Sequence, residues 1–117
     1  MTDCIFCKII KKEIPADIIY EDDLVTAFND IHPNAPVHIL VIPKKHIESI
    51  NGLKDEDEVL AGRIIMVAKK LAGEKGIAEN GYKLLFRVGR HGGQEVPHIH
   101  LHLIGGAMLT EGIRPVE

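Results

Sequence analysis

The stretch His98-Ile99-His100-Leu101-His102-Leu103-Ile104 alternates imidazoles with aliphatic side chains. Successive side chains of a β-strand point to opposite faces of the sheet. The alternation therefore predicts a strand with His98, His100 and His102 on one face and Ile99, Leu101 and Leu103 turned to a core. A row of histidines costs a strand its usual apolar packing, so it asks for a chemical reason. Imidazole ligates metals, moves protons near neutral pH and attacks electrophiles. The competing reading is a half-buried strand carrying a chance cluster.

At 117 residues the chain suits one domain, 1–117, with a single core. A hydrophobic share of 45% and a charged share of 26% separate it from disordered chains. A net charge of -3 and a pI of about 6.1 speak against a nucleic-acid partner, which needs a basic face. A small anion stays open, because backbone amides and imidazoles hold phosphate at any net charge. No apolar run approaches the roughly 18 residues of a membrane span. The start Met1-Thr2-Asp3-Cys4 lacks the basic-then-apolar pattern of a signal peptide, so the expected location is the cytoplasm. The two cysteines, Cys4 and Cys7, are too close for a disulfide framework and fit a reducing compartment as metal ligands or a redox pair.

Apolar residues at helical spacing predict a short helix from Cys4 to about Lys12, ended before Pro15. Ile18–Glu21 and Val25–Phe28 read as strands joined across Asp22-Asp23. After a Pro33-Asn34-Pro36 loop, His38–Ile42 is a strongly apolar strand stopped by Pro43. A long helix is expected from Asp55, with Asp55 and Glu58 as a capping box, the stripe Leu60, Ile64, Val67, Leu71, and Gly73 or Gly76 as its end. Tyr82–Val88 is a strand, and the glycine-rich Gly89–Gly93 leads to the histidines. The sum is α+β, a largely antiparallel sheet with one long and one short helix.

A phosphate set against the polar face of the histidine strand would meet a nucleophile and a proton donor together. Neutral imidazole attacks phosphorus and splits one difficult displacement into two, while a neighbouring histidine protonates the leaving group. Glycines in Gly89-Arg90-His91-Gly92-Gly93-Gln94 let backbone amides approach an anion. Cys4-Ile5-Phe6-Cys7 has the spacing of two thiolates on one tetrahedral zinc, with two of the seven histidines completing it. A redox pair is the rival, although such motifs follow a strand. His38 serves equally as a strand-end cap or a functional group, and His46 is within reach of a metal. Loop residues His32 and His91 read as solvated. Asp30 fits a ligand hydroxyl or the start of a turn.

The pattern His98 to Ile104 resembles the histidine triad family, and the likeness extends along the chain. It includes Cys4–Ile10, Glu13-Ile14-Pro15, Tyr20–Asp23, Phe28–Ile31, Ala35–His38, Val41–His46 and Gly92-Gly93-Gln94. Gly105-Gly106 is similar to the Hint branch, the nucleoside phosphoramidases. The resemblance implies a five-stranded antiparallel sheet per subunit, continued across a homodimer. It implies a nucleotidyl-histidine hydrolase acting on purine nucleoside phosphoramidates. Dinucleoside polyphosphate hydrolysis, or nucleotide binding with little catalysis, stands as the alternative. His100 would be the nucleophile, His102 the contact to phosphate and leaving group, and His38 part of the same network. Ile5, Phe6, Ile9, Phe28 and Ile31 would line the purine pocket, Asp30 would hold the ribose, and Gly93 and Gln94 would face phosphate. Neither an organic cofactor, nucleic acid nor a membrane is implied.

Relatives that begin with Cys-x-x-Cys are similar to the galactose-phosphate uridylyltransferases, which hold zinc with two cysteines and two histidines. That likeness implies a structural zinc on Cys4, Cys7, His46 and His98, taking His98 out of the catalytic set. Two positions depart from the Hint pattern: Arg87 replaces the usual Asn and Glu95 the usual Ser. A carboxylate repels phosphate and a guanidinium binds it. The pair is expected either to bridge or to leave Glu95 turned away.

Overall fold

The structure, a computed structural model, describes residues 3–116. Five antiparallel strands form one sheet: β1 (Ile18–Glu21), β2 (Val25–Asn29), β3 (Val37–Pro43), β4 (Tyr82–Phe86) and β5 (Leu101–Gly105), in the spatial order β1-β2-β3-β5-β4. Helix α1 (Ile5–Ile10) lies on one face and α2 (Glu58–Glu74) on the other.

This two-sided cover explains why β3 reads as an unbroken apolar run. Ile39 and Val41 pack with Leu60, Ile64, Val67 and Leu71 of α2, the stripe expected from the sequence. Leu40 and Ile42 pack on the opposite face with Phe6 and Ile9 of α1. The same alternation governs the histidine segment. Ile99, Leu101 and Leu103 enter the α2 core, at 2%, 1% and 0% exposure. His98 and His100 are buried on the α1 side, both in edge-on contact with Phe6.

The regular strand is shorter than the alternation predicts. Leu101 pairs with Val41 and Phe86, and β4 ends at Phe86, so no ladder holds the chain before Leu101. His98–His100 is instead tied by its backbone, with Ile99 N–H donating to the Ile47 carbonyl at 2.8 Å. For the same reason Arg87 and Val88 fall outside the strand expected over Tyr82–Val88.

The α2 entry also differs. Asp55–Asp57 is a 3₁₀ turn, and the acid that reaches back is Asp57, accepting from Lys54 N–H at 3.0 Å and from Lys45 Nζ at 2.8 Å. Asp55 and Glu58 do not form the capping box. The Lys45–Asp57 pair ties the segment after β3, which carries His46, to the start of α2. At the other end Gly76, at φ +74°, takes the left-handed conformation that ends the helix, and Gly73 remains within it.

Candidate active site

One open cavity of about 580 Å³ runs from α1 and β2 to the histidines. Its apolar end is lined by Ile5, Phe6, Ile9, Phe28 and Ile31, and its polar end by Asp30, His38, His100, His102, Arg87, Gly93 and Glu95. Phe6 stands edge-on to Phe28 at 5.6 Å and to His100 at 5.0 Å, so the aromatic wall meets the imidazole. Exposure of 48% at Ile5 and 80% at Ile31 shows these two forming the rim rather than the floor.

Hydrogen bonds fix the protonated nitrogen on each neutral ring, and together they aim the chemistry. His100 Nδ1 lies 2.8 Å from the His98 carbonyl, which only accepts, so Nδ1 carries the proton and Nε2 keeps its lone pair. Asn34 N–H donates to His38 Nδ1 at 3.1 Å, so the His38 proton sits on Nε2. That proton faces His102 Nδ1 at 3.0 Å. His102 therefore holds its own proton on Nε2, and this buried atom has no partner among the described residues. An unpaired buried donor in a polar cavity calls for an acceptor from a ligand.

Burial holds all three rings below the ordinary imidazole value. It is the leading cause for His38 and His100 and, with the charge of neighbouring His100 and His38, takes His102 down to about 4. The Arg87 guanidinium pushes each further in the same direction. At neutral pH the cavity thus presents neutral imidazoles, one with a free lone pair and one with a free N–H. Asp30 does double duty. Its Oδ1 accepts from His32 N–H at 2.8 Å, as a turn-forming Asp does, while Oδ2 stands 3.5 Å from His38 Nε2.

The outer loop differs from expectation in two places. Gln94 does not line the cavity: its amide donates to the Glu48 carbonyl at 2.6 Å and the Val96 carbonyl at 2.9 Å, and its Oε1 accepts from Gly89 N–H. It braces the loop that presents Gly93. Arg87 and Glu95 do not bridge. Both line the cavity, and among the described residues no carboxylate lies within 4.0 Å of the guanidinium. His32, expected only in solvent, lines the rim, and Asn34 acts through a backbone amide that no side-chain motif reveals.

Cys4, Cys7, His46 and His98 form a separate cluster behind α1, with one donor atom of each lying within 4.8 Å of the others. Cys4 Sγ and Cys7 Sγ stand 3.3 and 3.7 Å from His98 Nδ1, Cys7 Sγ stands 3.3 Å from His46 Nδ1, and the two Nδ1 atoms are 3.1 Å apart. Zinc bonds of about 2.3 Å to sulfur and about 2.05 Å to nitrogen, placed tetrahedrally, ask for S···N near 3.5 Å and N···N near 3.3 Å. The donor set fits. His98 also donates from Nε2 to the Pro43 carbonyl at 2.9 Å, which leaves its Nδ1 lone pair for the cluster.

A second trio, Asp30, His38 and His102, is equally compact. It fits a metal poorly. A cation on His38 Nε2 would move the proton to Nδ1, where Asn34 N–H already donates.

The family profile described as HIT domain matches residues 11–109. The purine nucleoside phosphoramidase of Escherichia coli strain K12 is 57% identical over 107 residues, covering 92% of this chain and 90% of the relative. A HIT family hydrolase of Legionella pneumophila superposes with a TM-score of 0.91 at 53% identity, covering 94% of this chain and 98% of that one. A histidine triad protein of Clostridium difficile superposes with a TM-score of 0.90 at 46% identity, covering 94% and 96%.

Proposed function

The chain belongs to the histidine triad (HIT) family, and on that premise we propose that it hydrolyses purine nucleoside phosphoramidates at the α-phosphate through a nucleotidyl-His100 intermediate. One observation carries the reading. The His98 carbonyl holds the His100 proton on Nδ1, leaving Nε2 as a nucleophile in a cavity that also holds the unpartnered Nε2–H of His102. In the first step His100 Nε2 bonds to phosphorus and the P–N bond to the amine breaks. The Nε2–H of His102, which His38 orients from the other side, hydrogen-bonds the leaving nitrogen, and that nitrogen takes up a proton from solvent as it departs. In the second step water attacks phosphorus, the bond to His100 breaks, and the water's proton is released to solvent, leaving His100 neutral again. The products are the nucleoside monophosphate and the free amine. Burial keeps His100 neutral at physiological pH, as a nucleophile must be.

The base occupies the apolar end among Ile5, Phe6, Ile9, Phe28 and Ile31, with Asp30 on the ribose hydroxyls. Gly93 lets the loop backbone approach the phosphate, and Arg87 and Glu95 flank it. A structural zinc on Cys4, Cys7, His46 and His98 ties α1, which carries part of the base pocket, to the segment that carries His100. The reading includes a homodimer in the cytoplasm. In a single chain β4 is a sheet edge, Leu84 on it is exposed, and Val59, Ile65 and Met66 of α2 face solvent. Among the described residues no helix is long and apolar enough to cross a membrane.

The test is rapid acid-free quenching during turnover of an adenosine phosphoramidate, followed by mass spectrometry of the His100 peptide. An adenylyl mass is expected on wild type and none on His100→Ala, whose kcat/KM drops by at least about a thousandfold. Unchanged hydrolysis by His100→Ala sinks the proposal.

A further inference from the structure

Cys4 and Cys7 are the chain's only cysteines, and the hydrolysis proposed above makes no use of their sulfur chemistry. Cys4 caps the start of α1 and its carbonyl accepts from Lys8 N–H at 3.2 Å, so the two residues share one helical turn. Their Sγ atoms lie within 4.8 Å of one another. Both residues are buried, at 7% and 8% exposure, yet the cluster they belong to is not sealed. His46, whose Nδ1 stands 3.3 Å from Cys7 Sγ, is exposed and opens that side to solvent. Two sulfurs on one tetrahedral zinc stand about 3.8 Å apart, whereas a disulfide brings them to about 2.05 Å. A disulfide also lacks the thiolate charge that binds the metal. The pair therefore serves as ligands or as a disulfide, never as both.

The state of the pair reaches the nucleotide cavity through two residues. Phe6 lies between the cysteines, lines the cavity and stands edge-on to His98 and His100 at 5.9 and 5.0 Å. His98 presents Nδ1 to both sulfurs, while its carbonyl accepts the His100 Nδ1–H. Helix α1 has six residues, too few to persist without tertiary support. Side chains three apart on a helix keep their Cβ atoms about 5–6 Å from each other, and a disulfide needs about 3.5–4.5 Å. Closing the bond thus draws in the first turn of α1 and displaces Ile5 and Phe6 from the base pocket.

We propose that Cys4 and Cys7 form an oxidative modification site, at which a hydroperoxide converts the metal-bound pair to a disulfide, expels zinc and weakens nucleotide binding. Each sulfur gives up one electron as the S–S bond forms. The O–O bond of hydrogen peroxide breaks, and its oxygens take up two protons from solvent beside their own and leave as two waters. Zinc departs as the dication. A dithiol reductant with zinc reverses the change. This inference rests on the zinc of the reading above and adds a regulation of that site.

The zinc-loaded protein is treated with hydrogen peroxide and followed by a zinc-indicator dye, by intact mass and by calorimetry with adenosine monophosphate. Release of about one zinc per chain is expected, with a mass lower by two hydrogens than that of the reduced chain. Nucleotide binding should weaken by about tenfold, a usual size for coupling between two sites, and dithiothreitol with added zinc should restore it. Survival of zinc and both thiols, oxygen added to the sulfurs in place of the disulfide, or unchanged affinity in the oxidised chain overturns the inference. A chain that takes up no zinc before treatment overturns the metal reading and this inference together, so the two failures are told apart.

Discussion

The buried pair His38–His102 makes acid instability a quantitative expectation. Burial and the surrounding positive charge lower His102 from 6.5 to about 4 in the folded protein. The unfolded chain takes up this proton first as pH falls. The stabilisation is therefore complete above pH 6.5 and is lost as pH descends through the folded value near 4. Applying the linkage relation between about pH 7 and about pH 4.5 gives a loss on the order of 2 kcal/mol from this ring alone. Urea unfolding at the two pH values, on wild type and His102→Asn, isolates it, because other titrating groups remain in both proteins. Wild type should lose about 2 kcal/mol more than the variant on acidification. Saturating nucleoside monophosphate should narrow the gap, since an anionic phosphate against His102 favours the charged ring. An equal acid loss in both proteins would refute the argument that burial keeps this histidine neutral.

Gly92→Ala should weaken nucleoside monophosphate binding, read by calorimetry, because its Cβ would stand 2.5 Å from the Val88 carbonyl oxygen and 2.6 Å from Val88 N, forcing the loop that carries Gly93 to move. Cys7→Ser should lower zinc, measured by elemental analysis, from about one ion per chain to a small fraction, and should weaken nucleotide binding as α1 loses its anchor. Asp22→Ala should cost about 1–3 kcal/mol in urea unfolding while leaving kcat/KM close to wild type. Asp22 accepts from Leu24 N–H, Val25 N–H, Tyr20 Oη–H and Arg63, and although burial alone would raise it, these donors hold it far below the usual carboxylate range. Its contribution is present above pH 3.8, the ordinary value, and disappears only in stronger acid.

What the sequence discloses and what it conceals follow from the range of the interactions involved. The alternation at His98–Ile104 exposes the two-faced character of the segment because side-chain direction is a local property of extended backbone. The length of the regular strand depends on its partners: β4 ends at Phe86, and nothing within His98–His100 reports that. Cys4 and Cys7 announce a metal-type pair by spacing. Their meeting with His46 and His98 is a tertiary event, readable in advance through family resemblance alone. Gln94 illustrates the opposite limit. In a glycine-rich loop before three histidines, an amide side chain reads as a ligand contact, yet its partners are the carbonyls of Glu48 and Val96.

Arg87 and Glu95 show the same limit in electrostatic form. Opposite charges eight residues apart invite an ion pair, but β4 ends before Arg87 and the turn through Gly93, at φ +80°, separates the two side chains. Among the described residues no carboxylate lies within 4.0 Å of the guanidinium, which lines the cavity of the histidines. The tautomers of His98, His100 and His38 are fixed locally, each by a bond to backbone. The charge beside them depends on where β4 ends, which only the folded chain decides.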